Sequence, residues 1–178
     1  MDYVVLDLEW NQASDSRDAR NRLLTFEIIE IGAVKLNSRM EIVDTFEELI
    51  RPQVYDTMHH ITEKLIGIHM KDLSGCRTFD AVMKDFLAWC GEDFMFGTWG
   101  PQDLTELQKN MRFFGMEPLG KGPVRFYDIQ KLFSIAYEDQ KVRRSLEYAV
   151  DYLQIPKDIP FHLSLIHISE PTRHSLIS

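Results

Sequence analysis

Cysteine is scarce in this chain of 178 residues: there are two, Cys76 and Cys90. A disulfide framework needs more, and their spacing matches no metal-binding pattern, so both are expected to be reduced thiols. Long apolar runs are lacking too, and none is of a length to span a bilayer. A signal peptide is not expected at the start, where Asp2 and Asp7 bracket a short strand-like run; the matching expectation is a cytoplasmic protein. Basic charge is in deficit, with a net charge of −8 and a pI near 5.2. That balance argues against a salt-driven grip on long duplex nucleic acid, though not against an enzyme that holds only a strand end. A zinc pattern is missing as well. His59, His60 and His69 have apolar neighbours and lack the i, i+4 pair with a glutamate between. Neither an internal repeat nor a low-complexity tract interrupts the chain.

What is present suits one domain with a real core: 44% hydrophobic and 27% charged residues at this length. The most informative stretch is Tyr3 to Trp10, YVVLDLEW. Tyr3, Val4, Val5 and Leu6 favour a central strand covered on both faces. Asp7 and Glu9 follow two apart, so on a strand their side chains share one face. Two carboxylates on one face of a buried strand repel and lose hydration unless a cation compensates, and a hard divalent ion such as Mg²⁺ is the natural partner. The other reading is a strand end that reaches solvent, where both acids are simply hydrated. The spacing alone leaves both open.

The polar segment Asn11 to Arg22 reads as a loop, either solvated or touching a phosphate beside the acids. Phe26 to Leu36 and Glu41 to Ile50 have strand composition, with Asn37-Ser38 as the turn, giving an antiparallel three-stranded start. Glu27 and Glu30 sit oddly in so apolar a strand. Surface exposure is the default for both, with a place near the metal face as the alternative for one. Phe79 to Cys90 is an amphipathic helix whose Phe79, Val82, Met83, Phe86, Leu87 and Cys90 should face the sheet. A strand at Asp93 to Thr98 and a helix from about Gln102 to Phe114 follow. Asp103 falls in the first turn of that helix, where the dipole favours an acid whatever its function. A short strand at Arg125 to Asp128, a helix at Ile129 to Tyr137 and a helix capped by Ser145 complete the pattern. Three strands and then alternating helices and strands indicate an α/β fold with a mixed central sheet flanked by helices.

With these pieces assembled, D-L-E on the first strand, an Asp opening a helix after a later strand, and a late P-F-H resemble the DEDDh 3′–5′ exonucleases. The stretches EIIEIGAVKL, LIGIHMKDL, TWGPQD, FYDIQKLF and SLEYAVDYLQI support the likeness, in that family's order, from residue 2 to about 162. In flavour it resembles the RNA-directed branch with KapD-like and histone-mRNA-type exonucleases. The resemblance implies an RNase H-like fold over residues 1–162. It also implies two Mg²⁺ or Mn²⁺ ions, with Asp7, Glu9 and Asp103 as metal-binding acids and His162 as general base. The implied substrate is the 3′ end of a single-stranded nucleic acid, RNA favoured over DNA, cut to nucleoside 5′-monophosphates. Leu8, Trp10 and Asn11, at the mouth of such a site, are candidates to seat the terminal nucleotide; Trp10 lies on the opposite face of an ideal strand, so core packing competes with stacking on a base.

One departure stands out. The family carries a fourth acid five residues after the histidine, and here that position is His167, a poor Mg²⁺ ligand. Residues 163–178 also do not match the family's last helix in their pattern of small and acidic residues, with Glu170 as the one acid, and Pro171 would cut a helix short. The tail reads as foreign sequence joined to a truncated reading frame, with genuine divergence as the alternative, and if it is native the chain is expected to be weakened or inactive. The competing class is a non-catalytic module that keeps the fold to bind nucleic acid or a protein.

Overall fold

The computed structural model describes residues 1–13, 23–120 and 122–156. Within them the order is β1 (Asp2–Asn11), β2 (Glu27–Leu36), β3 (Ile42–Leu49), α1 (His60–Ile66), α2 (Met70–Leu73), α3 (Phe79–Cys90), β4 (Phe94–Thr98), α4 (Gln102–Phe113), β5 (Phe126–Asp128), α5 (Ile129–Tyr137) and α6 (Leu146–Tyr152). The strands form one mixed sheet in the order β3-β2-β1-β4-β5. β1, β2 and β3 pair antiparallel, whereas β1 with β4 and β4 with β5 pair parallel. This is the α/β architecture expected from the sequence, and the strand bearing the two acids lies at its centre. Among the described residues no helix is long and apolar enough to cross a membrane.

The helical stripe of α3 explains how one face is covered. Phe79, Val82, Met83, Phe86 and Cys90 recur at helical spacing and are all buried against Val4, Leu6 and Leu8 of β1 and Ile31 and Ala33 of β2. Leu104, Leu107 and Met111 of α4 extend the same core. Burial pushes the Cys90 thiol up to about 12, so it acts as a small apolar group rather than a nucleophile. Cys76 is a second free thiol, as the cysteine count implied.

A bulge breaks the β1–β2 ladder: Glu9 pairs with Glu30, but Trp10 pairs with Ile28. The extra residue, Ile29, leaves the main core and joins a second apolar cluster with Ile66 and Leu73 of α1 and α2. Beside the bulge the Ile28 N–H donates to Asn110 Oδ1 at 3.1 Å, and Asn110 Nδ2 donates to the Phe26 carbonyl at 2.9 Å. Asn110 belongs to α4, so these two bonds fix that helix against the start of β2.

The default exposure of Glu27 and Glu30 does not hold, since both are 1% exposed. For Glu27 the reason is a backbone nest. Its carboxylate accepts from the N–H groups of Gln53 at 2.5 Å, Val54 at 2.9 Å and Tyr55 at 2.9 Å, and so replaces its lost hydration. The Tyr55 hydroxyl then donates to the Leu24 carbonyl at 2.5 Å, closing the loop over the start of β2. Glu27→Ala strands these amide donors and is expected to cost on the order of 3 kcal/mol of stability. Urea unfolding measures it; a loss within experimental error would show that water replaces the carboxylate.

Candidate active site

Asp7 and Glu9 stand on the C-terminal half of β1, beyond the segment Asp2–Val5 that pairs with β4. β4 runs parallel to β1 and ends at Thr98, and α4 starts four residues later. The N-terminus of α4 is therefore delivered to the end of β1 that carries the acids. Crevices at the carboxyl ends of parallel strands are where α/β sheets gather functional groups. Asp103, in the first turn of α4, is 8% exposed. Its carboxylate accepts backbone N–H groups from its own residue and from Leu8. The helix-start role expected for Asp103 and a place beside β1 thus coexist in one side chain.

The antiparallel register adds members to this face. Glu30 lies directly opposite Glu9, and Gly32 directly opposite Asp7. On the far side of Gly32 comes Glu47 of β3. Directly paired residues present their side chains to the same face, so Asp7, Glu9, Glu30 and Glu47 share one side of the sheet. Glycine between Asp7 and Glu47 leaves that face without a side chain at its middle.

Electrostatics records the crowding. Glu9 is pushed up to about 8, first by burial and then by the charges of Asp7, Glu30 and Asp103. Glu30 also rises to about 8, from burial and then Glu47 and Asp7. Asp103 rises to about 7 from burial and Asp7, opposed by the two backbone N–H groups. Asp7 itself is exposed and contributes to all three shifts. Among the described residues no three His, Cys, Asp or Glu side chains are grouped so as to hold an ion unaided. The donors are nonetheless hard oxygens held in mutual repulsion, the chemistry that suits Mg²⁺ or Mn²⁺ with water and a substrate phosphate filling the remaining positions.

The other residues singled out from the sequence fall as follows. Leu8 is buried in the main core, so its backbone alone faces Asp103. Trp10 is half-buried, packs on Phe26 with ring centroids 5.5 Å apart, and lies against the main core, which is the packing alternative. Asn11 is fully buried: Nδ2 donates to the Thr57 carbonyl and Oδ1 accepts from the His59 N–H, both at 2.9 Å. Its side chain thus anchors the loop before α1, and an influence on a bound nucleotide would run through that loop. His59 caps α1, accepting from the Ile61 N–H, and burial lowers its pKa. His162, His167, most of the segment Asn11 to Arg22 and the tail at 163–178 lie outside the described residues. Sequence reasoning underrated Glu30: the connection from Asn11 to Glu27 is long and β2 is an unbroken run of buried positions from Glu27 to Val34 rather than an alternating one, so nothing local to the sequence set Glu30 against Glu9.

A family model described as Exonuclease matches residues 4–166. The human 3′-5′ exoribonuclease 1 is 24% identical over 150 residues, covering 78% of this chain and 42% of the human protein. The PolC-type DNA polymerase III of Caldanaerobacter subterraneus subsp. tengcongensis is 35% identical over 86 residues, covering 48% of this chain and 5% of the polymerase. The chain thus spans less than half the length of either curated relative. Among solved structures, the nuclease domain of 3′hExo, a DEDDh family member bound to rAMP, superposes with a TM-score of 0.75 at 22% identity, covering 92% of this chain and 84% of that one. A 3′-exonuclease in 3′-end specific recognition of histone mRNA stem-loop gives 0.75 at 21%, over 92% and 75% of the two chains. These likenesses show the RNase H-like exonuclease fold.

The raised acids give a test of the site in metal-free protein. Glu9 and Glu30 keep their protons to a higher pH when folded than at the ordinary 4.5. Between about 4.5 and 8 the folded state binds more protons than the unfolded state, so stability falls as pH rises through that window. Melting in chelator is expected to occur at a lower temperature at about pH 8.5 than at about pH 6, and Asp7→Asn should shrink the difference. A profile flat in this range would show that the carboxylates are fully hydrated.

Proposed function

Because the chain belongs to the exonuclease family matched over residues 4–166, we propose that it is a metal-dependent 3′–5′ exonuclease acting on single-stranded ends. Its preferred substrate is RNA and its products are nucleoside 5′-monophosphates. The observation that carries this reading is the convergence of Asp7, Glu9 and Asp103, from a strand and a helix distant in sequence, in one mutually repelling cluster. A module that only binds polyanions has no use for such a cluster, which repels phosphate until cations neutralise it. RNA is favoured by the family branch that the sequence resembles and by the histone mRNA stem-loop recognised by one structural neighbour.

Asp7, Glu9 and Asp103 would hold the two Mg²⁺ or Mn²⁺ ions. Bound there, the metal supplies Lewis-acid charge at the phosphate and acidifies water. The residues divide the remaining work. Asp7, the most accessible of the three, would meet the incoming phosphate first. Asp103 is oriented by the Leu8 N–H and by a helix pinned through Asn110, so that its carboxylate keeps a fixed position as substrate comes and goes. His162 takes the role of accepting a proton from the attacking water, a task for which an imidazole is suited near pH 7. The new bond joins the water oxygen to phosphorus, and the bond from phosphorus to the 3′ oxygen of the preceding nucleotide breaks. That oxygen then takes up a proton.

His167 in place of the family's fourth acid favours a second reading, a binding module that retains the fold with little catalysis. A single assay separates them. On 5′-labelled single-stranded RNA and DNA the enzyme should shorten the 3′ end one nucleotide at a time with Mg²⁺ or Mn²⁺, and chelator should stop it. Asp7→Ala should lower the rate by about a hundredfold or more, the equivalent of roughly 3 kcal/mol of transition-state stabilisation. His167→Asp should raise it. Binding of the labelled strand without shortening, in either metal, would establish the second reading.

A further inference from the structure

The proposed metal ligands leave one neighbouring acid without a task. Glu30 is 1% exposed, and its Oε1 has no hydrogen-bond partner. The other buried glutamate of β2, Glu27, is fully provided with backbone donors, so burial of an acid in this strand is not by itself unbalanced. The neighbours of Glu30 along β2 are Ile28, Ile29, Ile31, Ala33 and Val34, all buried. An apolar side chain at position 30 would therefore continue the strand at no electrostatic cost. A carboxylate there instead faces Glu9 across the ladder, with Asp7 and Glu47 on the same side. Leaving a buried charge uncompensated costs several kcal/mol. Among the described residues Glu30 Oε1 has no hydrogen-bond partner, and once the carboxyl has lost its proton a cation at Asp7 and Glu9 would supply the compensation.

We propose that Glu30 is a positioning residue for the metal site, a buried carboxylate behind Glu9 that holds Glu9 forward and adds negative charge to the cation pocket. This rests on the metal-dependent reading above. In the metal-free protein Glu30 repels Glu9 and keeps its carboxylate directed away from β2. With a cation bound at Asp7 and Glu9, the same charge would favour the ion. Glu30 thus lowers the stability of the empty fold and raises its affinity for metal. A residue kept only for packing or hydrogen bonding would do neither.

The opposite signs make the test. Thermal melting of the full chain is followed at about pH 8.5 in chelator and then across a Mg²⁺ and a Mn²⁺ titration, for the native protein, Glu30→Gln, Glu30→Asp and Asp7→Asn. Glu30→Gln keeps the shape and removes the charge. It is expected to melt higher than the native chain in chelator and to need roughly fivefold more Mg²⁺ for the half-maximal shift. Glu30→Asp keeps the charge and should stay within about twofold of the native midpoint. Asp7→Asn should abolish the shift. An unchanged midpoint for Glu30→Gln overturns the inference whatever its melting temperature. So does a Glu30→Gln chain that fails to fold while Glu30→Asp keeps the native midpoint, since Glu30 is then a structural partner. Were the native chain itself to show no metal-induced shift, the metal-dependent reading would fail first and take this inference with it.

Discussion

Carboxylates that repel one another on one face of a sheet govern how this molecule is built. Asp7, Glu9, Glu30 and Glu47 are brought together by strand register, and Asp103 is added from the start of α4. Mutual repulsion works against such an array. Its members are kept in place by a core on the opposite face, where α3 and α4 bury Leu6, Leu8 and Ile31, the residues alternating with the acids along β1 and β2. The same period of two that puts the acids on one side puts the leucines on the other. Hydrophobic burial on one face thus offsets electrostatic strain on the other, and neither pattern can shift register without disturbing its opposite.

The bulge at Glu9/Trp10 shows how the two faces are reconciled. A regular ladder would continue the acid row with the residues before Glu30. The extra residue instead turns Ile29 into the smaller cluster under α1 and α2, while Ile28 stays in the main core. Asn110 receives the Ile28 N–H at this irregular point, which ties the local distortion of the sheet to the helix that carries Asp103. The placement of the third acid therefore depends on a polar side chain two turns away from it.

Much of this was legible from residue order. The strand with D-L-E, the helix at Phe79–Cys90 and the cap at Ser145 all follow from periodicity and capping chemistry, and each lies where expected. Asp103 was legible as a helix-start acid, and the family resemblance supplied its pairing with β1. Glu27 was not, because its partners are the amides of Gln53, Val54 and Tyr55, which no pattern local to β2 announces. Burial of Glu30 escaped for a related reason: polarity predicts exposure only where water is the cheapest partner, and here tertiary cover removes water from an acid whose neighbours are also acids. Asn11 reads from sequence as the start of a polar loop at the mouth of the site, yet it ends β1, and the segment Thr57–His59 returns over it and uses both ends of its amide.

The parallel pairing of Asp2–Val5 with Phe94–Gly97 has a consequence for the order of assembly. β1, β2 and β3 form a meander from segments adjacent in the chain, joined through residues 12–26 and 37–41. β4 joins later in the chain, after α1, α2 and α3, and the entropy of closing so large a loop delays its docking. The meander by itself brings Asp7, Glu9, Glu30 and Glu47 together through register, and Asp103 joins them when β4 brings α4 alongside. Maturation of the acidic centre is, on this topology, a late folding event. Divalent cations present at that moment would act on the rate of the last docking step as well as on the finished protein.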